Sequence, residues 1–463
     1  MYTIYKYILF HFLPLALDSF SSLNRNKMII ILLSATLLAT LAAGQSQDSC
    51  YADQTDPYIL FGTATPYEAV SNTNASYVYI DKCEAKQFWI ISRHGTRYAD
   101  ADEVDELKDL YDLQEKIIKN HEKDGSGSLC AKDLENLKLW TLQVVSNVKS
   151  DLTPQGYNDL YRLGERFKSR FPALFKQTVT KDSFKVQFTT KQRTAASAIA
   201  FVDGLFGTGM GLEFPEALED DMLIKPYASC KKWEKDVEEN KDTTKQMKKF
   251  EDGSTVTTLV GSVSKRLGFS KTLDLDDILL MYSACRYDKA WHLDKVSPWC
   301  AAFTEDDLKA LEYIEDLELY YSTGYGNDLN KKVGCPPVKD FIDRFSDIEK
   351  GEQQPAGVLY FTHHEMILLV LTSLGFDKDK EALTSSNYDQ MSGREWRSSF
   401  ISPFTANLAA VFFKCDAGEP YRVQLYFNEH LLDINGCDQG LCDWSYFKQQ
   451  FGSISSSCNL DFC

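Results

Sequence analysis

The chain has 463 residues, of which 44% are hydrophobic and 13% aromatic. It is too long for one small domain and apolar enough for a sizeable core. A formal net charge of −17 excludes duplex nucleic acid as a partner, which needs a basic face, but not a small anion held by a local cluster of Arg and Lys.

At the N-terminus, Lys27 and Met28 precede an apolar run over residues 29–43, and Ala42-Ala43-Gly44 supplies small residues for cleavage. This predicts a secretory signal peptide over residues 1–44, cut near Gly44-Gln45. Met28 is an alternative start, in which case residues 1–27 are a mis-called upstream extension. An uncleaved anchor is the competing reading, because residues 7–17 are also apolar. Asp18, Asn24, Arg25 and Lys27 interrupt the stretch, so a single span of about 20 apolar residues is missing. The ending Asn459-Leu460-Asp461-Phe462-Cys463 carries no retention signal and no apolar anchor tail. Twelve cysteines with no C-x-x-C pair read as disulfides of a secreted protein, not as zinc ligands. Asn74-Ala75-Ser76 is the one glycosylation sequon.

Residues 50–80 are polar and turn-rich. Residues 88–91, Phe-Trp-Ile-Ile, read as a buried strand. The strand runs into Arg93-His94-Gly95-Thr96-Arg97-Tyr98, which delivers charged groups and a glycine to the carboxyl edge of a sheet, where open α/β sheets place ligands. Arginine forks bind phosphate bidentately, and an imidazole attacks phosphorus or moves a proton. Gly95 and Thr96 read as shaping the turn, with Gly95 letting the backbone approach phosphate and Thr96 a candidate pocket residue.

Residues 101–119 read as an acidic helix, 124–128 as a flexible break and 131–148 as a second helix. Thr153 caps a helix over 157–171, with Pro154 at its first position. A strand over 184–189 ends in Lys191-Gln192-Arg193-Thr194, and a small-residue helix over 195–205 follows. Residues 215–350 are charged, helical and strand-poor, and the charge run 231–249 reads as a solvated helix face. A buried strand over 358–361 ends in Thr362-His363-His364-Glu365 before a helix over 366–374. Residues 407–413 and 423–427 alternate as paired strands. The expected fold is α/β, a doubly wound, mostly parallel sheet flanked by helices. Its core comes from residues 50–214 and 351–463, with a mainly helical cap over 215–350.

Three strand ends carry candidate chemistry, and adjacent ends converge on one crevice in such a sheet. Phosphoryl transfer needs an in-line nucleophile, positive donors on the equatorial oxygens and an acid for the leaving oxygen. His94 can be the nucleophile and form a phosphohistidine. Arg93, Arg97 and Arg193 can hold the phosphate, and His363 adds a donor. Glu365 can protonate the leaving alcohol and later activate water. The scheme needs no metal or other cofactor, because the arginines supply the neutralising charge. Lys191 and Lys231 are candidate contacts for further phosphates, although lysines at such positions are more often simply solvated.

The hexapeptide Arg93-His94-Gly95-Thr96-Arg97-Tyr98 resembles the signature of the histidine acid phosphatases, the branch that includes phytases, whose fold is phosphoglycerate mutase-like. Other features look more like the multiple inositol polyphosphate phosphatases. These are Phe61-Gly62-Thr63-Ala64-Thr65-Pro66-Tyr67, Lys295-Val296-Ser297-Pro298-Trp299-Cys300, Trp396-Arg397-Ser398-Ser399-Phe400, and His363-x-Glu365 where common acid phosphatases carry His-Asp. The resemblance covers about residues 50–445. It implies phosphate-binding roles for Arg93, Arg97, Arg193 and His363, His94 as nucleophile and Glu365 as proton donor. His364 departs from the pattern, standing where the resembled motif has alanine, and a bulky imidazole there should alter the pocket lining or its titration. Implied disulfides are Cys83–Cys415, Cys285–Cys300, Cys437–Cys442, and Cys230 with Cys458 or Cys463; Cys50, Cys130 and Cys335 stay unassigned.

The expectation is therefore a secreted, monomeric, metal-independent phosphomonoesterase. Its substrate would be a highly phosphorylated inositol such as inositol hexakisphosphate, with 2,3-bisphosphoglycerate as a second. No nucleic acid or stable membrane partner is expected after signal removal. One alternative is a broad acid phosphatase of the prostatic or lysosomal type. The other is a non-catalytic secreted phosphate-ligand binding protein, which would have lost a catalytic group.

Overall fold

Phe88, Trp89, Ile90 and Ile91 have no accessible surface, and they form the middle of an eleven-residue strand, β1 (Cys83–Arg93). In the computed structural model, the described residues are 50–54, 60–74, 76–144, 150–176, 179–180, 182–209 and 214–463. The expected signal peptide and its alternative start lie outside them. The chain divides into two units, Met1–Asp53 and Gln54–Cys463. Of the first, the described part is residues 50–53, with one 3-10 turn over Tyr51–Asp53. Apart from Cys50, everything below concerns the second.

The other strands are β2 (Phe184–Phe188), β3 (Gly357–Thr362), β4 (Asn407–Cys415), β5 (Tyr421–Phe427), β6 (His430–Leu431) and β7 (Leu441–Asp443). They form a seven-stranded sheet in the order β2-β3-β1-β4-β5-β6, with β7 paired to β5. Helices flank the sheet as expected, but it is mixed rather than mostly parallel. Parallel pairing joins β2 to β3 and β3 to β1, whereas β4 runs antiparallel to both β1 and β5. Connection length decides the β4–β5 pair: residues 416–420 between them are too few for a crossover.

Alternation along β1 sends successive rings to opposite faces. On one face Phe88 meets Phe167 of the helix Pro154–Arg170 at 4.8 Å, and Phe361 meets Phe201 of the helix Gln192–Phe206 at 5.7 Å. On the other, Trp89 packs 5.2 Å from Phe341 of the helix Cys335–Lys350, and Phe412 lies 5.1 Å from Trp444 of the helix Trp444–Ser457. Among the described residues, 215–350 hold helices and turns but no strand.

Thr153 caps its helix as expected: its hydroxyl accepts from the Gly156 N–H at 3.0 Å, and Pro154 opens the helix. The helix expected over 131–148 ends at Lys138. The acidic segment after the hexapeptide breaks into Ala101–Leu107 and Leu110–Glu122. Two helices start earlier than their apolar pattern, at Gln192 and at His364. Periodicity marks a buried face, but at a sheet edge the first turn is polar and its free N–H groups face outward.

The implied pairs Cys83–Cys415, Cys285–Cys300 and Cys437–Cys442 are present, Cys230 bonds to Cys463, and Cys335 bonds to Cys458. Cys50 and Cys130 are disulfide-bonded too. Cys83–Cys415 staples β1 to β4 across 332 residues of sequence, and a native crosslink typically contributes about 2–4 kcal/mol.

Candidate active site

The parallel register of β1 and β3 builds the site. Arg93 stands opposite Thr362, so the next residue on each strand, His94 and His363, emerge side by side with ring centroids 5.5 Å apart. The helix at the end of β3 then places Glu365 in its first turn. β2 is in step with β3, Phe188 opposite Phe361. The helix after β2 brings in Arg193 and ties itself to the turn, since the Ser197 hydroxyl accepts from the Gly95 N–H at 3.1 Å.

His94 is buried, and its Nδ1 lies 2.9 Å from the Gly95 carbonyl oxygen. A carbonyl only accepts, so Nδ1 carries the hydrogen and Nε2 keeps a free lone pair. Burial, then the charges of Arg93 and Arg193, hold this imidazole well below its ordinary pKa. Burial likewise takes His363 down to about 3, with Arg193 and Lys225 adding to the effect against Glu365. His363 Nε2 lies 2.9 Å from the Thr189 hydroxyl.

Arg93 is aimed from behind. Its Nη1 donates to the carbonyls of Ser402, at 2.7 Å, and Thr63, and its guanidinium stacks 4.6 Å from the Phe404 ring centre. Thr63 is fixed in turn by Glu315, which accepts from its N–H at 3.0 Å and pairs with Arg286 at 2.8 Å. Burial and Arg97 bring Arg93 down to about 9, so it stays charged near neutrality. Arg93 Nε and Arg193 Nε are buried with no hydrogen-bond partner. Two unsatisfied cationic donors at one strand edge make a receptor for an anion.

Arg97 belongs to the rim of the cluster. It pairs with Glu103 at 3.2 Å and Asp100 at 3.4 Å and lies over Tyr287, whose hydroxyl donates to Glu103 at 2.8 Å. Burial would raise the Glu365 carboxyl, but His364, His363, a backbone N–H and Arg93 together hold it below the usual carboxylate range. His364 Nδ1 is 3.2 Å from Glu365 Oε2, and both side chains are about one-third exposed, 29% and 31%. His364 therefore lines the pocket beside the acid.

Two expectations are corrected, and for Lys191 the solvated alternative stands. Thr96 does not face the pocket: its hydroxyl donates to buried Asp159 at 2.9 Å. Gly95 serves a close approach to protein, not to phosphate, because a Cβ there would stand 2.5 Å from the Gly156 carbonyl oxygen. Lys191 caps a helix with its side chain exposed to solvent.

The sequence reading missed Thr189, Tyr227, Lys225 and the Glu103–Tyr287 pair. Thr189 is the last residue of the strand expected over 184–189, and its position at that strand's end, beside the strand that leads to His363, is the signal that could have flagged it. Tyr227 and Lys225 lie in the helical insertion, where no local pattern marks them.

Residues 84–428 match the family described as histidine phosphatase superfamily (branch 2). Multiple inositol polyphosphate phosphatase 1 of Drosophila melanogaster is 32% identical over 438 residues, covering 92% of each chain. The Homo sapiens protein of the same name is 29% identical over 92% of this chain and 93% of its own. Among solved structures, the phytase from D. castellii superposes with a TM-score of 0.70 at 18% identity, covering 87% of this chain and 86% of that one. Bifidobacterium longum multiple inositol polyphosphate phosphatase in complex with inositol hexasulfate gives 0.65 at 15% identity, covering 86% and 98%. The family pattern runs through the sheet edge that carries His94, Arg193 and His363, and the chain belongs to the histidine phosphatase superfamily, branch 2.

Proposed function

We propose that this protein is a secreted phosphomonoesterase that removes phosphate from inositol polyphosphates, inositol hexakisphosphate among them, through a phosphohistidine on His94. The observation that carries the reading is the pairing of a bare His94 Nε2 with unsatisfied Arg93 and Arg193 Nε groups at one strand edge. The arginines hold the transferred phosphoryl group, with His363 beside it and Arg97 adding charge from the rim. His94 Nε2 attacks phosphorus, Glu365 gives its proton to the leaving alcohol, and the Glu365 carboxylate then activates the water that hydrolyses the phosphohistidine.

The substrate class rests on likeness. Relatives similar over nearly the whole chain are named multiple inositol polyphosphate phosphatases, and the Bifidobacterium longum protein of that name has been solved with inositol hexasulfate and with phosphate. The proposal includes 2,3-bisphosphoglycerate as a second, equally charge-dense phosphomonoester. Secretion is supported by the disulfides, and among the described residues no helix is long and apolar enough to cross a membrane.

Steady-state turnover of inositol hexakisphosphate beside a simple aryl phosphate tests this. A kcat/KM that favours the inositol ester is expected. A preference for the aryl phosphate would instead indicate a broad acid phosphatase, and tight binding without phosphate release would indicate a binding protein.

A further inference from the structure

Residues 221–230 form a strap of the helical insertion tied to the catalytic edge at two points and to the C-terminal residue at a third. Gln187 of β2 donates from Nε2 to Asp221 at 2.6 Å. The hydroxyl of Thr362, the residue before His363, donates to the Ile224 carbonyl at 2.6 Å. Cys230 is bonded to Cys463. Asp221 also accepts from the N–H groups of Leu223 and Ile224, at 2.9 and 3.0 Å, which fixes the bend. The 3-10 turn Pro226–Ser229 that follows carries Tyr227, whose ring packs 5.8 Å from that of Trp233. Trp233 is held by its own hydrogen bond to Asn330 at 2.9 Å.

So firmly placed a tyrosine should have its hydroxyl satisfied. Tyr227 is only 7% exposed, yet its hydroxyl has no hydrogen-bond partner. It lies beside the Arg193 guanidinium and near enough to the Glu365 carboxyl for hydrogen bonding to that acid to help raise its pKa, though in no well-formed bond with either. Glu365 Oε2 is itself buried and makes no well-formed hydrogen bond, with His364 Nδ1 3.2 Å away. Burial first, then Glu365, holds the phenol well above its ordinary pKa, so it is a neutral donor throughout the working range. Two unsatisfied guanidinium nitrogens, one acid and one neutral hydroxyl thus meet in one place. The guanidinium groups match phosphoryl oxygens, which leaves the acid and the hydroxyl for the ester oxygen.

We infer that the Tyr227 hydroxyl donates a hydrogen bond to the leaving-group oxygen of the phosphomonoester while Glu365 delivers its proton there. The inference rests on the phosphomonoesterase reading. In the step, His94 Nε2 supplies the electron pair of the new N–P bond. The P–O bond breaks with its pair going to the ester oxygen, and the Glu365 proton ends on the alcohol. Tyr227 keeps its own proton and stabilises the charge that develops before proton transfer is complete.

Tyr227→Phe removes one oxygen and keeps the ring against Trp233. The readout is kcat/KM on two esters of opposite demand: inositol hexakisphosphate, whose alkoxide leaves poorly, and nitrophenyl phosphate, whose phenolate needs little help. A donor to the leaving oxygen predicts a loss of about 10- to 100-fold on the inositol ester and less than roughly threefold on the aryl ester. Because the ratio of the two rates is compared with the parent's, a smaller folded fraction of the variant does not alter the result. Equal losses on both esters, or none on either, would overturn the inference. A failure of the phosphomonoesterase reading looks different, since the parent itself would then release phosphate from neither ester.

Discussion

His94 Nδ1 sits 2.9 Å from the carbonyl oxygen of Gly95, its own neighbour in sequence. The contact fixes the tautomer and leaves Nε2 its lone pair, in a ring that feels the Arg93 and Arg193 charges. An exposed imidazole is half protonated near pH 6.5 and ceases to be a nucleophile below it. Here burial and the two arginines keep the ring neutral well into acid.

A pH profile follows from this. His94 is held far below its ordinary pKa and His363 sits at about 3, so neither should titrate near neutrality in the empty enzyme. Glu365 must be protonated to donate, and it is held below the usual carboxylate range, so its protonated fraction grows as pH falls. Corrected for substrate ionisation, kcat/KM should rise from neutral pH into mild acid. A fall below about pH 6.5, following one histidine titration, would contradict the assignment.

Glu365→Gln separates the two half-reactions. With nitrophenyl phosphate the first transfer needs little acid, so the variant should release a burst of nitrophenol near one equivalent per enzyme. Hydrolysis of the phosphoenzyme, which lacks its base, should then be slower by about 100-fold or more. Rapid-quench kinetics measures both, and a uniform slowing with no burst would argue against the dual role.

Gly95→Ala tests the packing behind the turn. The added Cβ would stand 2.5 Å from the Gly156 carbonyl oxygen and 2.7 Å from a Leu160 methyl carbon. Backbone cannot give way as a flexible side chain does, so destabilisation of about 1–3 kcal/mol is expected from denaturant unfolding. An unchanged midpoint would mean that the two backbone segments separate freely.

Asp159 makes stability itself pH-dependent. Burial pushes its carboxyl up to about 7, against hydrogen bonds from Gln155 and Thr96 that act the other way. The folded state then holds a proton that the unfolded chain releases near pH 3.9. Between about pH 4 and 7 the folded state binds more protons, so this contribution is complete below about 4 and falls away as pH rises through 7. Unfolding midpoints should drop from mildly acid to mildly alkaline pH, and Asp159→Asn, which cannot titrate, should flatten that slope. An equally steep slope in the variant would place its origin elsewhere.

Much of the site was legible because the chemistry lies at strand ends, where a buried apolar run is followed at once by charged groups. That pattern locates His94, Arg193, His363 and Glu365 just beyond strands that the structure contains, the second and fourth in the first turn of the helix that follows. Strand order is not written locally: the antiparallel β4 beside β1 depends on a partner more than 300 residues away in sequence, as its 332-residue disulfide span makes plain. Thr96 illustrates another limit. It sits inside the hexapeptide, yet its direction is set by Asp159 on a helix not implicated in the chemistry. Tyr227 shows the converse, since the tethers that carry it to the site come from Gln187, Thr362 and Cys463, none of them near it in sequence.

The most direct test is to trap the covalent intermediate. The parent enzyme, mixed with labelled inositol hexakisphosphate and quenched in alkali, should carry label on a single histidine-containing peptide, and peptide mapping should place it on His94. His94→Ala should release no phosphate and take up no label. Label on another residue, or phosphate release that persists in His94→Ala, would contradict the account.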